Sequence, residues 1–448
     1  MSLPAYAEYK DSGVEWLGDV PKHWAIGSLK NLLKIRSGQD YKTIETTDEN
    51  AIPVIGSGGQ FTYATKFIYD GKSILLGRKG TIDKPLYIEG QFWTADTMFY
   101  TEISEETDPR YAYWTAVVIP FGFYSTSTAL PSMSQFDLSN HAISYPDLIE
   151  QTTIARFLDH ETAKIDALIA EQQRLIELLK EKRQAVISHA VTKGLDPNAP
   201  MKDSGVAWLG DVPEHWTIGA IKYFTNNKKG SIKTGPFGSH LTSSDMQSGE
   251  VKVYNQRNVI DNNFESGENF ISEEKFKSLK VFEVFSGDIL VTTRGTIGRV
   301  AILPENTVRG ILHPCLLRIQ VNESIVIRDF LKGLIQDSSI VSNQLSYLSN
   351  STTIEVIYSE IISSIVIAIP PISEQKKILG FLDEQTAKIN ELISHAHQGI
   401  DLLKERRSAL ISAAVTGKID VRGWQPPATA ATTPQGQQQI LFDGYLID

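Results

Sequence analysis

The chain has 448 residues, of which 41% are hydrophobic and 21% charged, a composition typical of globular proteins and sufficient for about two to four domains. Its formal net charge of −10 argues against indiscriminate nucleic-acid binding, because phosphate contacts require Lys and Arg, but it permits a local basic cleft. A single cysteine, Cys315, excludes a disulfide framework and a Cys-based zinc site and fits a reducing cytoplasm. The N-terminus lacks the pattern of a signal peptide, and the most apolar stretch, residues 361–372, is too short to span a bilayer.

A short block near the start of the chain is repeated in its second half. Residues Lys10–Trp24 recur almost unchanged as Lys202–Trp216, a frame that ends in His-Trp both times. A second block, Glu150–Ile165, recurs as Glu374–Ile389. Repeated blocks that enclose unlike inserts predict two similar frames with two different specificities, related by pseudo-two-fold symmetry.

The first insert, residues 31–145, mixes short apolar runs with Gly, Ser and Asp clusters, which predicts a compact α/β unit with a curled sheet. The run Ser73–Gly77 is typical of a strand, and two basic residues and Gly-Thr follow it. This pattern predicts a tight turn that presents cations to DNA, with a plain hairpin turn as the alternative. The candidate DNA contacts of this insert are Ser57, Gln60, Arg78 and Lys79.

Residues 150–192 contain neither proline nor glycine and predict one long helix of about 60 Å at 1.5 Å per residue. A four-three apolar spacing predicts a coiled-coil seam with polar interruptions, formed by Ile154, Leu158, Ile165, Leu168, Leu175, Leu179 and Val186. The second copy repeats this register, so the simplest arrangement is an antiparallel pair of the two helices. Apolar residues off the seam would pack on the chain's own domains or dock partner helices, and the docking candidates are Phe157, Ile169, Ile176 and Phe381.

The second insert, residues 223–368, has the same general composition, and Val251–Tyr254, Asp288–Thr293 and Val300–Leu303 are typical of strands. Arg294-Gly-Thr parallels the basic turn of the first insert. Amide and guanidinium groups can pair with adenine and guanine edges, so the candidate contacts of this insert are Lys233, Ser239, His240, Asn255, Gln256, Arg257 and Arg294. Ser127-Thr128 and Ser351-Thr352 would be phosphate contacts or caps.

Catalytic motifs are missing from the sequence. Gly71-Lys72-Ser73 lacks the upstream glycine of a phosphate loop, since position 66 is Lys66. Asp261, Glu273 and Lys275 imitate a nuclease pattern only loosely. We therefore expect a chain that is not an enzyme, without catalytic residues, metal ligands or cofactor.

The repeated frames, the repeated helical blocks and the segments Gly77–Thr81, Thr234–Ser239 and Gly287–Arg299 resemble the specificity subunits of bacterial Type I restriction-modification enzymes, over nearly the whole chain to about Asp420. The resemblance implies a target-recognition domain in residues 1–149 and another in 196–373, with long helices in 150–195 and 374–420. Residues 421–448 read as a flexible tail, whose apolar end would dock or be disordered.

The resemblance also implies a function and partners. Each domain would read one half of a bipartite site in double-stranded DNA, and the helices would set the spacer and dock two methyltransferase subunits. Two restriction subunits would complete the complex, and S-adenosylmethionine, ATP and Mg²⁺ would act in those partners, in the cytoplasm. A coiled-coil scaffold whose variable domains bind proteins is the alternative hypothesis.

Overall fold

The computed structural model describes residues 4–124, 131–207, 209–226, 230–237, 239–338, 341, 343–344, 357–426, 440–442 and 445–447. It divides into two compact units: unit 1 comprises Met1–Arg174 and Ala396–Asp448, and unit 2 comprises Leu175–His395. The division runs through both long helices, so each unit contains one end of each helix. The predicted boundaries at residues 149, 195 and 373 stay predictions.

Unit 1 is built on a mixed sheet with strand order β4-β10-β8-β9-β6-β7-β5, in which only the β6–β9 pair is parallel. Its elements are β1 (Tyr9–Asp11), β2 (Asp19–Pro21), β3 (Ala25–Ser28), β4 (Leu33–Ser37), β5 (Glu45–Thr46), β6 (Ile52–Gly56), β7 (Gly59–Ala64), β8 (Tyr69–Gly77), β9 (Leu86–Thr94), β10 (Met98–Ile103), α1 (Pro109–Val117), α2 (Phe121–Tyr124), α3 (Gln135–Asn140), β11 (Ala142–Tyr145) and the start of α4 (Leu148–Lys193).

Unit 2 has two four-stranded sheets, β15-β22-β19-β20 and β17-β16-β21-β18. Its elements are β12 (Met201–Asp203), β13 (Asp211–Pro213), β14 (Thr217–Ala220), β15 (Ile232–Thr234), β16 (Val251–Tyr254), α5 (Gln256–Ile260), β17 (Phe270–Ile271), α6 (Glu273–Leu279), β18 (Glu283–Val284), β19 (Ile289–Thr292), β20 (Val300–Ile302), β21 (Gly310–Leu312), β22 (Leu316–Ile319), α7 (Arg328–Asp337), α8 (Ser359–Ser364), β23 (Val366–Ile369) and the start of α9 (Ile372–Val415). The expected combination of sheets and long helices is confirmed.

The two long helices run antiparallel within unit 1. Ile154 and Leu158 of α4 share a buried core with Ile411 and Val415 of α9. Farther along α4, Asp166 receives two hydrogen bonds from the Arg407 guanidinium, at 2.9 and 3.3 Å. Contacts therefore move toward the N-terminus of α9 as α4 advances, which confirms the predicted antiparallel pairing.

Unit 2 repeats this pairing with one chemical change. Arg183 donates to Asn390 at 3.1 Å, and Val191 of α4 shares a core with Ile378 and Leu382 of α9. Arg183 and Asn390 occupy the repeat positions of Arg407 and Asp166. The second copy therefore has a neutral acceptor where the first has a carboxylate.

The predicted seam is wrong by one residue in the middle of α4. The side chains of Leu168 and Leu175 are 52% and 42% exposed, whereas their neighbours Ile169 and Ile176 are buried. Because Ile169, Ile176 and Phe157 are all buried within the chain, they are not the exposed docking surface that the sequence suggested. Phe381 is exposed and remains a candidate.

A buried carboxylate at the start of α4 holds the first repeated frame. Trp24 Nε1–H donates to Glu150 Oε1 at 3.1 Å, and His23 Nε2 lies 2.8 Å from Oε2 of the same side chain. The Tyr6 hydroxyl also donates to Glu150 Oε1, at 2.6 Å, and burial together with this hydrogen bond raises the pKa of Tyr6 far above its ordinary value. One glutamate thus accepts from three side chains that precede it by more than a hundred residues.

The start of α9 holds the second frame in the same way. Trp216 Nε1–H donates to Glu374 Oε1 at 3.2 Å, and His215 Nε2 lies 2.6 Å from Glu374 Oε2. Lys202 donates to the Trp216 carbonyl at 2.8 Å, as Lys10 does to that of Trp24 at 2.5 Å. The repeated His-Trp and the repeated Glu are therefore partners in one contact, made once in each unit.

Each frame also contacts the end of the other long helix. Lys418, just beyond α9, donates to the carbonyls of Leu17 and Asp19 in the first frame at 3.0 and 2.6 Å. Lys193, at the end of α4, donates to the Asp211 carbonyl in the second frame. The following Gly194 has φ +79°, and a Cβ there would lie 3.2 Å from Glu374 Oε1, so this turn requires glycine. A frame therefore joins the start of one long helix to the end of the other.

The segment predicted as a flexible tail starts too early at residue 421. Val421 is buried in the core of unit 1, and the Trp424 ring packs edge-on against Phe157 at 5.7 Å. Farther on, β24 (Ile440–Phe442) pairs with β25 (Tyr445–Ile447) and with β9 of unit 1. The apolar end of the chain accordingly adds backbone pairing to the sheet.

The Glu150 contact yields a stability prediction. Glu150→Ala should lower the free energy of unfolding by on the order of 3 kcal/mol, because it leaves the buried indole N–H and the tyrosine hydroxyl without their acceptor. Chemical denaturation of the full chain measures this loss. The control is Glu171→Ala, an exposed position on the same helix. Equal losses in the two variants would contradict the role of the Glu150 contact.

The pairing of the long helices yields a second stability prediction. Arg407→Ala should cost roughly 3 kcal/mol, because the Asp166 carboxylate that it contacts is buried and breaking such a pair leaves a desolvated charge. Asp166→Asn should cost less, since it reproduces the Arg–Asn pair of unit 2. Thermal unfolding of both variants tests the order, and a larger loss for Asp166→Asn would refute it.

Candidate nucleic-acid interface

Strand ends and the turns beside them meet at one edge of the sheet in unit 1. Gly38, just after β4, donates its backbone N–H to the Met98 carbonyl at 2.9 Å, and a Cβ at this glycine would overlap the Ala95 carbonyl. Arg78, just after β8, donates its backbone N–H to Thr97 at 2.8 Å. The ends of β4 and β8 are thereby pinned to the turn that precedes β10.

The basic turn of unit 1 lies beside the end of β6. A Cβ added to Gly80 would lie 3.2 Å from Ser57 Oγ, and Lys79 forms a β-bridge with Ser132. An open cavity of about 390 Å³ at this edge is lined by Ser37, Arg78, Lys79, Phe99, Ser132, Met133, Ser134 and Gln135. The structure therefore places Ser57 beside the turn that carries Arg78 and Lys79, and their contact with DNA stays a prediction. Gln60 is exposed on β7 opposite Ile55 and does not line this cavity.

Unit 2 has a comparable edge, because β22 pairs with β15 and β19 as β10 pairs with β4 and β8 in unit 1. Gly235 donates its backbone N–H to the Leu316 carbonyl at 2.9 Å, and a Cβ there would overlap the His313 carbonyl. Thr293, just after β19, donates to Cys315 at 2.9 Å, as Arg78 does to Thr97 in unit 1. In both inserts, the basic turn and a glycine that follows another strand thus contact the same stretch of chain, although the two inserts have little sequence in common.

Amide and cationic groups of separate sequence motifs converge on this second edge. Gln256 Nε2 donates weakly to the Thr296 carbonyl at 3.4 Å and lies 3.6 Å from where a Cβ of Gly295 would be. The neighbouring Arg257 and Arg294 are exposed, and Arg257 contacts Asp261 one turn along α5 at 3.1 Å. Gln256, Arg257 and Arg294 consequently belong to one polar surface, which we call the unit 2 edge.

Two predicted contacts have structural roles instead. Asn255 Oδ1 accepts from the backbone N–H groups of Arg257 and Asn258 at 2.9 and 3.3 Å, so this side chain caps α5 rather than reading a base. The Lys233 ammonium lies 5.3 Å from the centre of the Phe282 ring, and its backbone pairs with Arg318 inside the sheet. Lys233 is therefore half-buried in mid-strand.

Two further predicted contacts, Ser239 and His240, lie in the loop after β15. Ser239 and His240 are exposed, and the His240 backbone N–H donates to the Phe237 carbonyl at 2.8 Å. Four other predicted positions lie outside the described residues, namely Ser127, Thr128, Ser351 and Thr352. Their roles as phosphate contacts or caps stay predictions.

His313 is a member of the unit 2 edge that sequence reasoning missed. Burial, and secondarily the positive charge of Arg294, lower the pKa of His313 below its ordinary value, so the ring is neutral at pH 7. Its Nδ1 accepts from the Cys315 backbone N–H at 3.2 Å, which leaves Nε2–H as a donor. No local sequence pattern distinguished this histidine from the other eight.

Both edges present donors and cations suited to phosphates and to the acceptor edges of bases. Among the described residues, no group of three or more His, Cys, Asp or Glu side chains could hold a metal ion, and no helix is long and apolar enough to cross a bilayer.

Known proteins share both sequence and fold with this chain. It is 21% identical to the specificity subunit of the EcoBI Type I restriction enzyme from Escherichia coli, over 92% of this chain and 90% of that protein. It is 24% identical to the MjaVIII specificity subunit from Methanocaldococcus jannaschii, over 90% and 94%.

Two solved structures share the fold at 14% sequence identity. One, from a study of complex assembly and conformational transition of the type I R-M system, has a TM-score of 0.58 and covers 89% of this chain and 99% of its own. The HsdS subunit from Thermoanaerobacter tengcongensis has a TM-score of 0.50, with coverage of 89% and 98%.

A family model described as the Type I restriction modification DNA specificity domain matches the chain twice, over residues 21–178 and 221–401. Each match includes one insert and much of the helix that follows it. Since the two matches together span well over half of the sequence, the chain belongs to the family of Type I restriction modification DNA specificity domains.

Proposed function

We propose that this chain, as the non-catalytic specificity subunit of a Type I restriction-modification enzyme, reads one half of a bipartite, asymmetric DNA site with each of its two units. The observation that carries the proposal is the pair of edges, each with a basic turn, built on equivalent strands from unlike sequences. An Arg can pair bidentately with guanine and a Gln with adenine. The scaffold alternative has no support among the relatives, which are all described as specificity subunits.

The side chains we assign to DNA contact differ between the units. In unit 1 they are Ser57, Arg78 and Lys79, with Ser37, Ser134 and Gln135 added from the cavity; in unit 2 they are Gln256, Arg257 and Arg294, with His313 added. Gln60, Ser239 and His240 remain candidates through their exposure alone. Because different chemistry lines the two edges, we expect the two half-sites to differ in sequence.

The partners and cofactors follow from the proposed complex. Two methyltransferase subunits and two restriction subunits would join the chain in the cytoplasm, and S-adenosylmethionine, ATP and Mg²⁺ would act in those subunits. A net charge of −10 is compatible with DNA binding if the partners supply part of the surface that contacts phosphates.

Exposed apolar side chains on the long helices supply candidate contacts for the methyltransferase subunits. Besides Phe381, they are Leu168, Leu175, Leu178, Leu392 and Leu402, all at least 36% exposed. A contiguous patch of exposed apolar side chains is typical of protein interfaces, and Leu168 and Leu175 lie two turns apart on one face of α4. They replace the buried Phe157, Ile169 and Ile176 as docking candidates.

The specificity proposal predicts variants that affect one half-site each. In complex with the methyltransferase, Arg294→Ala should relax recognition at one base pair of a single half-site, a loss of about 1–3 kcal/mol of discrimination. Arg78→Ala should do the same in the other half-site. Genome-wide mapping of methylated bases measures both effects.

Lys180→Ala, an exposed cation on α4, is the matched control and should leave the methylated sequence unchanged. If Arg78→Ala and Arg294→Ala relaxed the same half-site, the assignment of one half-site to each unit would be wrong.

The helices yield a separate prediction about the unread spacer. Each long helix contributes one end to each unit, and α4 and α9 contain 46 and 44 residues. Removing seven residues from both helices removes two turns, about 10 Å, which corresponds to about three base pairs. The methylated sites of such a variant should keep both half-sites and have a shorter spacer. Altered half-site bases with an unchanged spacer would refute the proposal.

A further inference from the structure

Phe237 is an exposed aromatic side chain on a loop whose base is fixed. Its side chain is 63% exposed, although the preceding Gly235 and Pro236 are both buried. Gly235 is tied to the Leu316 carbonyl and lies so close to His313 that a Cβ would overlap the His313 carbonyl. The loop therefore carries a large apolar group outward from a base that is fixed by a backbone hydrogen bond and close packing.

The loop that carries Phe237 starts at the unit 2 edge. His313, which contacts Gly235, is close enough to Arg294 for the guanidinium to lower the imidazole pKa. His240 donates its backbone N–H to the Phe237 carbonyl at 2.8 Å. An apolar ring on a loop that starts beside cationic and donor groups matches a ligand that has phosphates outside and stacked aromatic faces inside.

Unit 1 carries a polar residue at the corresponding position. Two residues after Gly38, the counterpart of Gly235, stands Asp40, whose carboxylate accepts from the Lys42 backbone N–H at 3.1 Å. A carboxylate cannot stack between bases and is repelled by phosphates. At this position, an exposed ring is consequently present in unit 2 and replaced by a carboxylate in unit 1.

We propose that Phe237 is a wedge that enters a base step in the half-site read by unit 2 and partly unstacks it. Apolar side chains inserted in this way kink the duplex, and the energy they require is lowest at flexible pyrimidine–purine steps. Unit 2 then selects sequence through the deformability of that step as well as through base-edge contacts. Unit 1 reads its half-site without a wedge at this position. This inference rests on the proposed function.

The test uses the chain in complex with its methyltransferase subunits and a duplex that carries the mapped target. The probe is 2-aminopurine, placed in turn at each position of the unit 2 half-site except the methylated base. Its fluorescence should rise several-fold on binding at one step. Phe237→Ala should abolish this rise and weaken binding on the order of tenfold, the loss typical of one aromatic–base stacking contact. Phe237→Asp, which reproduces the residue of unit 1, should act in the same way.

Phe285→Ala is the matched control. Phe285 is 52% exposed and belongs to the turn that precedes β19, at the end of the strand opposite to Thr293 and Arg294. This variant should keep the fluorescence rise and the affinity of the unaltered complex.

Two outcomes separate the wedge from the function on which it rests. If the unaltered complex does not prefer the target over a scrambled duplex, the proposed function fails. If it does prefer the target, and Phe237→Ala and Phe237→Asp keep both the fluorescence rise and the affinity, the wedge is overturned.

Discussion

The structure depends on one contact that is made twice, between the glutamate at the start of a long helix and the His-Trp pair of the frame that precedes it. Glu150 and Glu374 each accept from an indole N–H and contact an imidazole. Each frame also accepts a hydrogen bond from the C-terminal end of the other long helix, through Lys418 for the first frame and Lys193 for the second. The same few residues therefore fix the position at which each insert begins and the position at which each helix ends. The inserts are left free to vary, since the residues that support them lie outside them.

This separation explains why the overall architecture could be predicted from the sequence. The repeated blocks exposed the frames, and the absence of proline and glycine over residues 150–192 predicted a helix observed at Leu148–Lys193. The strand predicted at Val251–Tyr254 was also found. These features depend on local composition and periodicity, which the sequence displays directly.

The register of the seam could not be predicted in the same way. Leu168-Ile169 and Leu175-Ile176 are adjacent apolar pairs seven residues apart, so either member of each pair satisfies a heptad repeat. In the structure the isoleucines are the buried members of both pairs. Prediction of the candidate site from sequence was ambiguous in a similar way. Asn255 was predicted to read a base, but the spacing of Asn255 and Asn258 is also typical of a helix N-cap. The structure shows the cap. The convergence of Gln256 with Arg294 depends on the long-range packing of α5 against β19, which has no local sequence signal.

The tautomer of His313 has a consequence for binding in solutions of different ionic strength. A neutral ring with a fixed Nε2–H displaces no condensed counterion when it meets DNA, unlike the guanidinium of Arg294 beside it. In the proposed complex, raising the salt concentration would therefore weaken the arginine contact and leave the imidazole contact nearly constant. One side chain of the proposed DNA-binding surface would contribute affinity mainly at low salt, and its neighbour would contribute base discrimination that persists at high salt.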